Sequence, residues 1–182
     1  METNIKVAEV IDAKLLAERK VFLWGQVDDD SAKHVIDRLL YLDLTAPGVE
    51  ISLIINSPGG YVTSGMAIYD TIKTLKSPVS TVCMGFAASM GSLLLSVGKK
   101  GRRFIHQHAK VMIHQPSGGA QGQSSDIQIQ AQEILKTKQI GAQILADNCG
   151  QSIDKVLKDF DRDYWMDAQE SLAYGIVDEL IS

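Results

Sequence analysis

Twice in succession the chain runs from a short, dense apolar stretch through a glycine turn into a helical pattern. That repetition limits its possible folds more than any other feature. The first unit is Glu50–Asn56 (EISLIIN), then Ser57-Pro58-Gly59-Gly60, then a pattern with Val62, Gly65, Met66 and Tyr69 on one side. The second is Val79–Cys83, punctuated by Gly85 and followed by Ala88–Val97. Apolar runs this short and continuous predict strands buried on both faces. Strand–turn–helix units in tandem need crossover connections, hence a parallel sheet with helices outside. The expected fold class is α/β.

The flanking segments extend the pattern. Lys20–Gly25 (KVFLWG) predicts a strand, and an amphipathic helix follows from about Ser31, with Val35, Ile36, Leu39 and Leu40 at helical spacing. Arg103–His106 and Lys110–Gln115 predict two more strands, before a Gly/Gln-rich loop at Ser117–Gln123. The longest helix is expected from Ser124 to about Asn148, stopped by Gly150 at the position a C-cap glycine favours. Its Ile127, Ile134, Ile140, Ile144 and Leu145 are spread too widely for one narrow stripe, which predicts burial on more than one side, the second by another subunit. After a short helix, Asp167 and Glu170 form a capping-box start to a final helix, Ala168–Leu180. No low-complexity tract or Pro-rich linker divides the 182 residues, so a single domain spanning residues 1–182 is expected.

Composition narrows the function classes. With 18 basic and 22 acidic side chains the net charge is −4, which argues against a broad nucleic-acid surface, and 6% aromatic residues advertise no base-stacking platform. Ser77 through Gly98 carries no charge and is long enough to span a bilayer, but its Pro78, its serines and its three glycines point to a buried strand and helix instead. No membrane span is expected, and the opening Met1-Glu2-Thr3-Asn4-Ile5-Lys6 lacks the basic start and apolar run of a secretory leader. Cys83 and Cys149 make no CxxC or metal-ligand spacing; two reduced thiols suit a cytoplasmic compartment.

A strand entering a helix through a glycine turn aims free N–H groups at one point, reinforced by the helix dipole. The turn at Ser57–Gly60 has neither a P-loop's GxxxxGK[ST] nor a dinucleotide GxGxxG, so a developing oxyanion is the remaining ligand, against the plain alternative of a structural tight turn. Ser89, in Ala87-Ala88-Ser89-Met90-Gly91, opens the second helix among small neighbours. It departs from GxSxG, with Ala87 at the first glycine, and on its own a serine here is more often an N-cap than a nucleophile. A nucleophilic serine needs a base. His34 lies on the polar side of a helix, and the His106/His108 pair has no carboxylate near it in sequence, so no metal site is expected. His114 ends the apolar strand Val111-Met112-Ile113 beside the flexible loop, where α/β sheets place ligands. The orienting carboxylate is either Asp161 or Asp163, which flank Arg162.

These segments together resemble the family of Clp protease proteolytic subunits, ClpP, from about Ile11 to Leu180. The resemblance is carried by INSPGG at Ile55–Gly60, CMGFAASMG at Cys83–Gly91, GRRF at Gly101–Phe104, VMIHQPSGG at Val111–Gly119, then QGQSSDI, EILKTK and DRDYWMDAQES…YGIVD. It implies a crotonase-like fold of repeated strand–turn–helix units with a protruding handle helix, the handle lying at about residues 117–149. It implies Ser89 as nucleophile, His114 as general base and acid, Asp163 as orienting carboxylate, and the N–H groups of Gly60 and Met90 as oxyanion hole. Family members stack two seven-subunit rings into a closed barrel, which implies a ring–ring contact through Gln123, Asp126 and Arg162. No cofactor or metal is implied; ATP belongs to a partner AAA+ unfoldase. Two departures stand out. Only about ten residues precede Ile11, where the family has a longer pore-lining segment, and Ser52 and Ile54 occupy positions where the unfoldase's docking groove commonly has tyrosines. They suggest a divergent paralogue working with a second ClpP-type subunit. The competing expectations are a structural ring subunit that does not cut and, more remotely, a crotonase-type acyl-CoA enzyme.

Overall fold

A computed structural model of the chain describes residues 7–181. The opening residues that bear on a leader lie outside the described range. The elements run α1 (Val7–Ala17), β1 (Lys20–Trp24), α2 (Asp29–Thr45), β2 (Ile51–Ser57), α3 (Val62–Thr74), β3 (Val79–Ala88), α4 (Met90–Ser96), β4 (Arg103–His106), β5 (Lys110–Ile113), α5 (Ser124–Cys149), α6 (Ile153–Asp159), β6 (Tyr164–Met166), α7 (Ala168–Tyr174) and β7 (Glu179–Ile181). The sheet order is β1-β2-β3-β4-β7, all parallel, with β5 added parallel to the far half of β3 and β6 antiparallel to β5. The α/β class is therefore correct.

The strands are apolar on both faces, as the sequence suggests, but within one copy only one face is fully covered. Val21, Leu23, Leu53, Ile55 and Ile105 point into the core and are at most 1% exposed. On the other face the register lines up Phe22, Ile54, Val82 and Phe104 as one cross-strand row. Ile54 is 7% exposed, the other three are half-buried, and Trp24 and Met84 on the same face are exposed at 58% and 36%. Burial on both faces therefore does not hold for a lone copy, because sequence density cannot say whether the second cover comes from the same chain.

Helix ends follow local chemistry. α2 starts earlier than its apolar spacing suggests, because Asp28 caps it: its carboxylate accepts from Ser31 N–H at 2.8 Å while Ser31 Oγ accepts from Asp28 N–H at 2.9 Å. The Asp167/Glu170 capping box is present, but α7 stops at Tyr174, where Gly175 takes the left-handed conformation (φ 86°). The expected helix to Leu180 is thus too long. Its last residues pair with β4 as β7, a partner distant in sequence. Gly150 ends α5 in the same left-handed way. α5 is buried only through its last turns, at Gly141, Ala142, Leu145, Ala146 and Cys149, whereas Ile127, Ile129, Leu135 and Ile140 are 41–64% exposed. No described helix is long and apolar enough to cross a membrane.

GRRF has a structural explanation. Arg103 opens β4 fully buried and clamps Asp178 in the turn before β7, Nε to Oδ2 at 2.8 Å and Nη2 to Oδ1 at 2.5 Å, while Nη1 donates to Asn148 O at the end of α5 at 2.8 Å. Arg102 forks onto Glu50 instead, at 2.9 and 2.7 Å.

Candidate active site

β3 leads directly into Ser89, and the backbone there is strained. Ser89 has φ 55° and ψ −122°, and only one other described non-glycine residue, Arg19, has positive φ. Such a conformation costs on the order of 1–3 kcal/mol and persists only where the surroundings hold it. Ser89 N–H donates to Met112 O on β5 at 2.9 Å, and its carbonyl accepts Ser92 N–H and Oγ–H at 2.9 and 2.6 Å. Ser89 occupies the N-cap position of α4, yet its side chain makes no capping bond. Its hydroxyl turns to His114, with Oγ to Nε2 at 2.9 Å.

His114 immediately follows β5, whose pairing with β3 brings the two side chains together. Its Nδ1 lies 3.0 Å from Asp163 Oδ1. An ionised carboxylate can only accept, so Nδ1 carries the hydrogen, and Nε2 is left to accept from Ser89 Oγ–H. The imidazole is mostly buried (26% exposed), while Asp163 is 62% exposed. Asp161, left open beside Asp163 on composition, goes elsewhere: its carbonyl and carboxylate accept Gln115 Nε2–H at 2.7 and 3.3 Å, and Lys138 Nζ lies at 3.9 Å. Gln115 N–H also donates to Phe160 O at 2.6 Å. The residue after the histidine thus stitches β5 to the segment carrying Asp163. Nothing in its sequence spacing flags that role.

The two glycine turns meet at this point. Gly59 has φ 86°, and a Cβ on it would stand 2.6 Å from Ser89 Cβ, 2.7 Å from Ala88 O and 2.9 Å from Met90 N. Only glycine fits there; the sequence marks the whole Ser57–Gly60 turn but not the close approach of Gly59 to Ser89. Gly60 is bridged in parallel to Val27 through Val27 N–H to Gly59 O and Tyr61 N–H to Val27 O, a pattern that leaves Gly60's own N–H outside the bridge. Met90 N–H lies in the first turn of α4, where helix geometry supplies no acceptor.

An apolar crevice opens beside Ser89 between α3, α4 and α5, with about 30 Å³ of free volume among Val62, Met66, Leu93, Gly141 and Phe160. A wider recess of about 330 Å³ also borders His114, bounded by Pro116, Gly118, Ile134, Arg162 and Asp163. Of the other named residues, Gln123 is the N-cap of α5 without a side-chain cap bond, and Asp126 lies in its first turn. Among the described residues no hydrogen bond or ion pair joins either of them to Arg162 within one copy. His34 contacts Arg38 on α2, with Nδ1 to Nη1 at 2.9 Å, and desolvation with the Arg38 charge lowers its pKa below the usual value. His106 ends β4 and His108 lies in the turn after it; no third ligand-type side chain joins them among the described residues. Both thiols are free and buried, and burial pushes Cys83 up to about 12 and Cys149 to about 11, so neither is a thiolate nucleophile near neutral pH.

Beyond this geometry, the family model described as Clp protease matches residues 3–182, nearly the whole chain.

Proposed function

Because the chain belongs to the Clp protease family, we propose that it is a serine endopeptidase subunit that cleaves unfolded polypeptides and short peptides by acyl transfer. The observation that carries this reading is the continuous hydrogen-bonded line Ser89 Oγ–His114 Nε2/Nδ1–Asp163 Oδ1, at 2.9 and 3.0 Å. Ser89 attacks the peptide carbonyl as His114 takes its proton, and Asp163 holds the imidazole's tautomer and stabilises its cation. Gly60 and Met90 N–H groups receive the oxyanion. The protonated His114 then passes its proton to the leaving amine, and water, deprotonated by the same imidazole, releases the acyl group. These side chains supply the chemistry with no cofactor or metal; ATP would be spent by a partner unfoldase.

Assembly into stacked seven-membered rings is supported by the apolar residues that protrude along α5 and by the half-open sheet face. In that arrangement Gln123 and Asp126 of one ring would reach Arg162 of the other. The row through Ile54 is the surface a AAA+ unfoldase would use, with Ser52 and Ile54 offering less ring area than tyrosines. A second ClpP-type subunit would supply what this chain's groove lacks. The cytoplasm is the compartment proposed.

The apolar crevice beside Ser89 supports preference for an apolar side chain before the scissile bond. Fluorogenic short peptides test the function: turnover is expected with leucine or methionine at that position and at least about tenfold less with aspartate, since a buried unpaired charge is costly. No turnover of any peptide by assembled rings would favour the structural-subunit reading. Gly59→Ala should leave KM within a few-fold and lower kcat by about 100-fold or more, since displacing the nucleophile by about 1 Å costs that much. Unchanged kcat would show that Ser89 tolerates a shift in its supporting turn.

A further inference from the structure

The ladder between β2 and β3 slips opposite one residue. Ile55 pairs with Cys83, but the next pairing is Ser57 with Ala87, so Asn56 alone faces Met84, Gly85 and Phe86. Such a bulge leaves its extra residues out of the backbone ladder. The Asn56 side chain spans the gap: its Oδ1 accepts Phe86 N–H at 3.3 Å. Gly85 has φ 84°, and a Cβ on it would stand 2.8 Å from the same oxygen, so the bulge is shaped around that side chain. From the other side, Asn56 O accepts Gly25 N–H at 2.8 Å, tying the residue to the end of β1.

The slip falls where β3 changes partners. Before it, Thr81–Cys83 pairs with β4; after it, Phe86–Ala88 pairs with Lys110–Met112 of β5. Ser89 and His114 both lie just beyond that second pairing, and Ser89 N–H is held by Met112 O. We propose that Asn56 is a positioning residue of this site: its side-chain oxygen closes the bulge and thereby sets the meeting angle of Ser89 and His114. It acts through the backbone and touches neither substrate nor reacting atoms. The assignment rests on the peptidase reading above.

Asn56→Ala removes the oxygen, and Asn56→Asp keeps an acceptor of the same shape. The expected result is a kcat lowered about 10–100-fold in Asn56→Ala with KM within about twofold, and recovery to within about threefold of wild type in Asn56→Asp. Acylation by a fluorophosphonate should slow in parallel. Deuterium uptake should rise across residues 84–89 and not across 51–55. If Asn56→Ala fails to fold, Asn56→Ser, whose hydroxyl is too short to reach Phe86, replaces it. Either a removal variant with wild-type kcat and acylation rate, whatever its melting temperature, or a loss that Asn56→Asp does not rescue, overturns the assignment. Assembled wild-type rings that do not react with the probe defeat the peptidase reading itself, and this assignment with it.

Discussion

Ser89→Ala is expected to lower kcat for peptide hydrolysis by on the order of 10⁶-fold, since removing the nucleophile of such a triad leaves only binding and oxyanion stabilisation. Asp163→Asn should cost about 10⁴-fold, because an amide donor facing His114 Nδ1 favours the tautomer that cannot accept from Ser89 Oγ–H. The difference between the two losses is informative. On the proposed mechanism Asp163 would act only through His114, in keeping with its 3.0 Å bond to Nδ1 and its exposed position. Stability should move the other way at Ser89. Ser89→Gly relieves the positive φ and should raise the melting temperature while abolishing turnover. Steady-state kinetics with a thermal melt on each variant checks all three. A Ser89→Ala protein within tenfold of wild type would remove Ser89 from the chemistry.

Arg103→Met should destabilise the fold by about 3–5 kcal/mol, the cost of leaving a buried charge without its partner. Arg103 is 1% exposed, and its guanidinium joins two regions distant in sequence, Asp178 before β7 and Asn148 O at the end of α5, to its own strand. The pH dependence gives the claim a sign. Burial alone would raise the Asp178 carboxyl, but the hydrogen bonds and charge of Arg103, with the N–H groups of Arg103 and Gly101, outweigh it and hold the group below its ordinary value. A carboxylate depressed in the folded state contributes stability that is fully present above its unfolded value, about 3.9, and is lost as pH falls through the lower folded value. In Arg103→Met the guanidinium's hydrogen bonds and charge are gone and only the N–H groups of residues 101 and 103 oppose burial, so the folded value rises and protonation costs the fold less. Urea denaturation at fixed protein concentration should show a wide gap between wild type and variant at pH 7 that narrows toward pH 3.5. A gap independent of pH would mean the variant acts through lost packing rather than through the Asp178 charge.

Much of this architecture is legible in the sequence wherever the signal is local. The dense runs at β2 and the start of β3, the glycine stop at Gly150 and the Asp167/Glu170 box each report a short-range preference, and each feature lies where its chemistry places it. What escaped depends on partners far along the chain. Gly85 reads as a strand end, yet β3 continues to Ala88 because Asn56 fills the bulge and β5 takes over the pairing. Leu180 reads as helical, yet β4 recruits it into the sheet. α1 carries no buried residue and gave no amphipathic signal.

At the site, Ser89 and His114 stood out by their positions at the ends of strands. The choice between Asp161 and Asp163 came only from family resemblance, since two acids flanking one arginine are equivalent in composition. In the structure they part company, Asp163 facing the imidazole and Asp161 facing Gln115 and Lys138. The roles of Gly59 and Asn56 were not legible because they depend on a contact with another strand, not on their own neighbours.

The most direct test of the central claim is covalent labelling by a fluorophosphonate, read by intact mass on wild type, Ser89→Ala and His114→Ala, with size-exclusion chromatography of the same samples. The account predicts one probe per wild-type chain, attached at Ser89, and none on either variant. Assembled rings that stay unlabelled, or a probe that attaches equally well to Ser89→Ala, would contradict it.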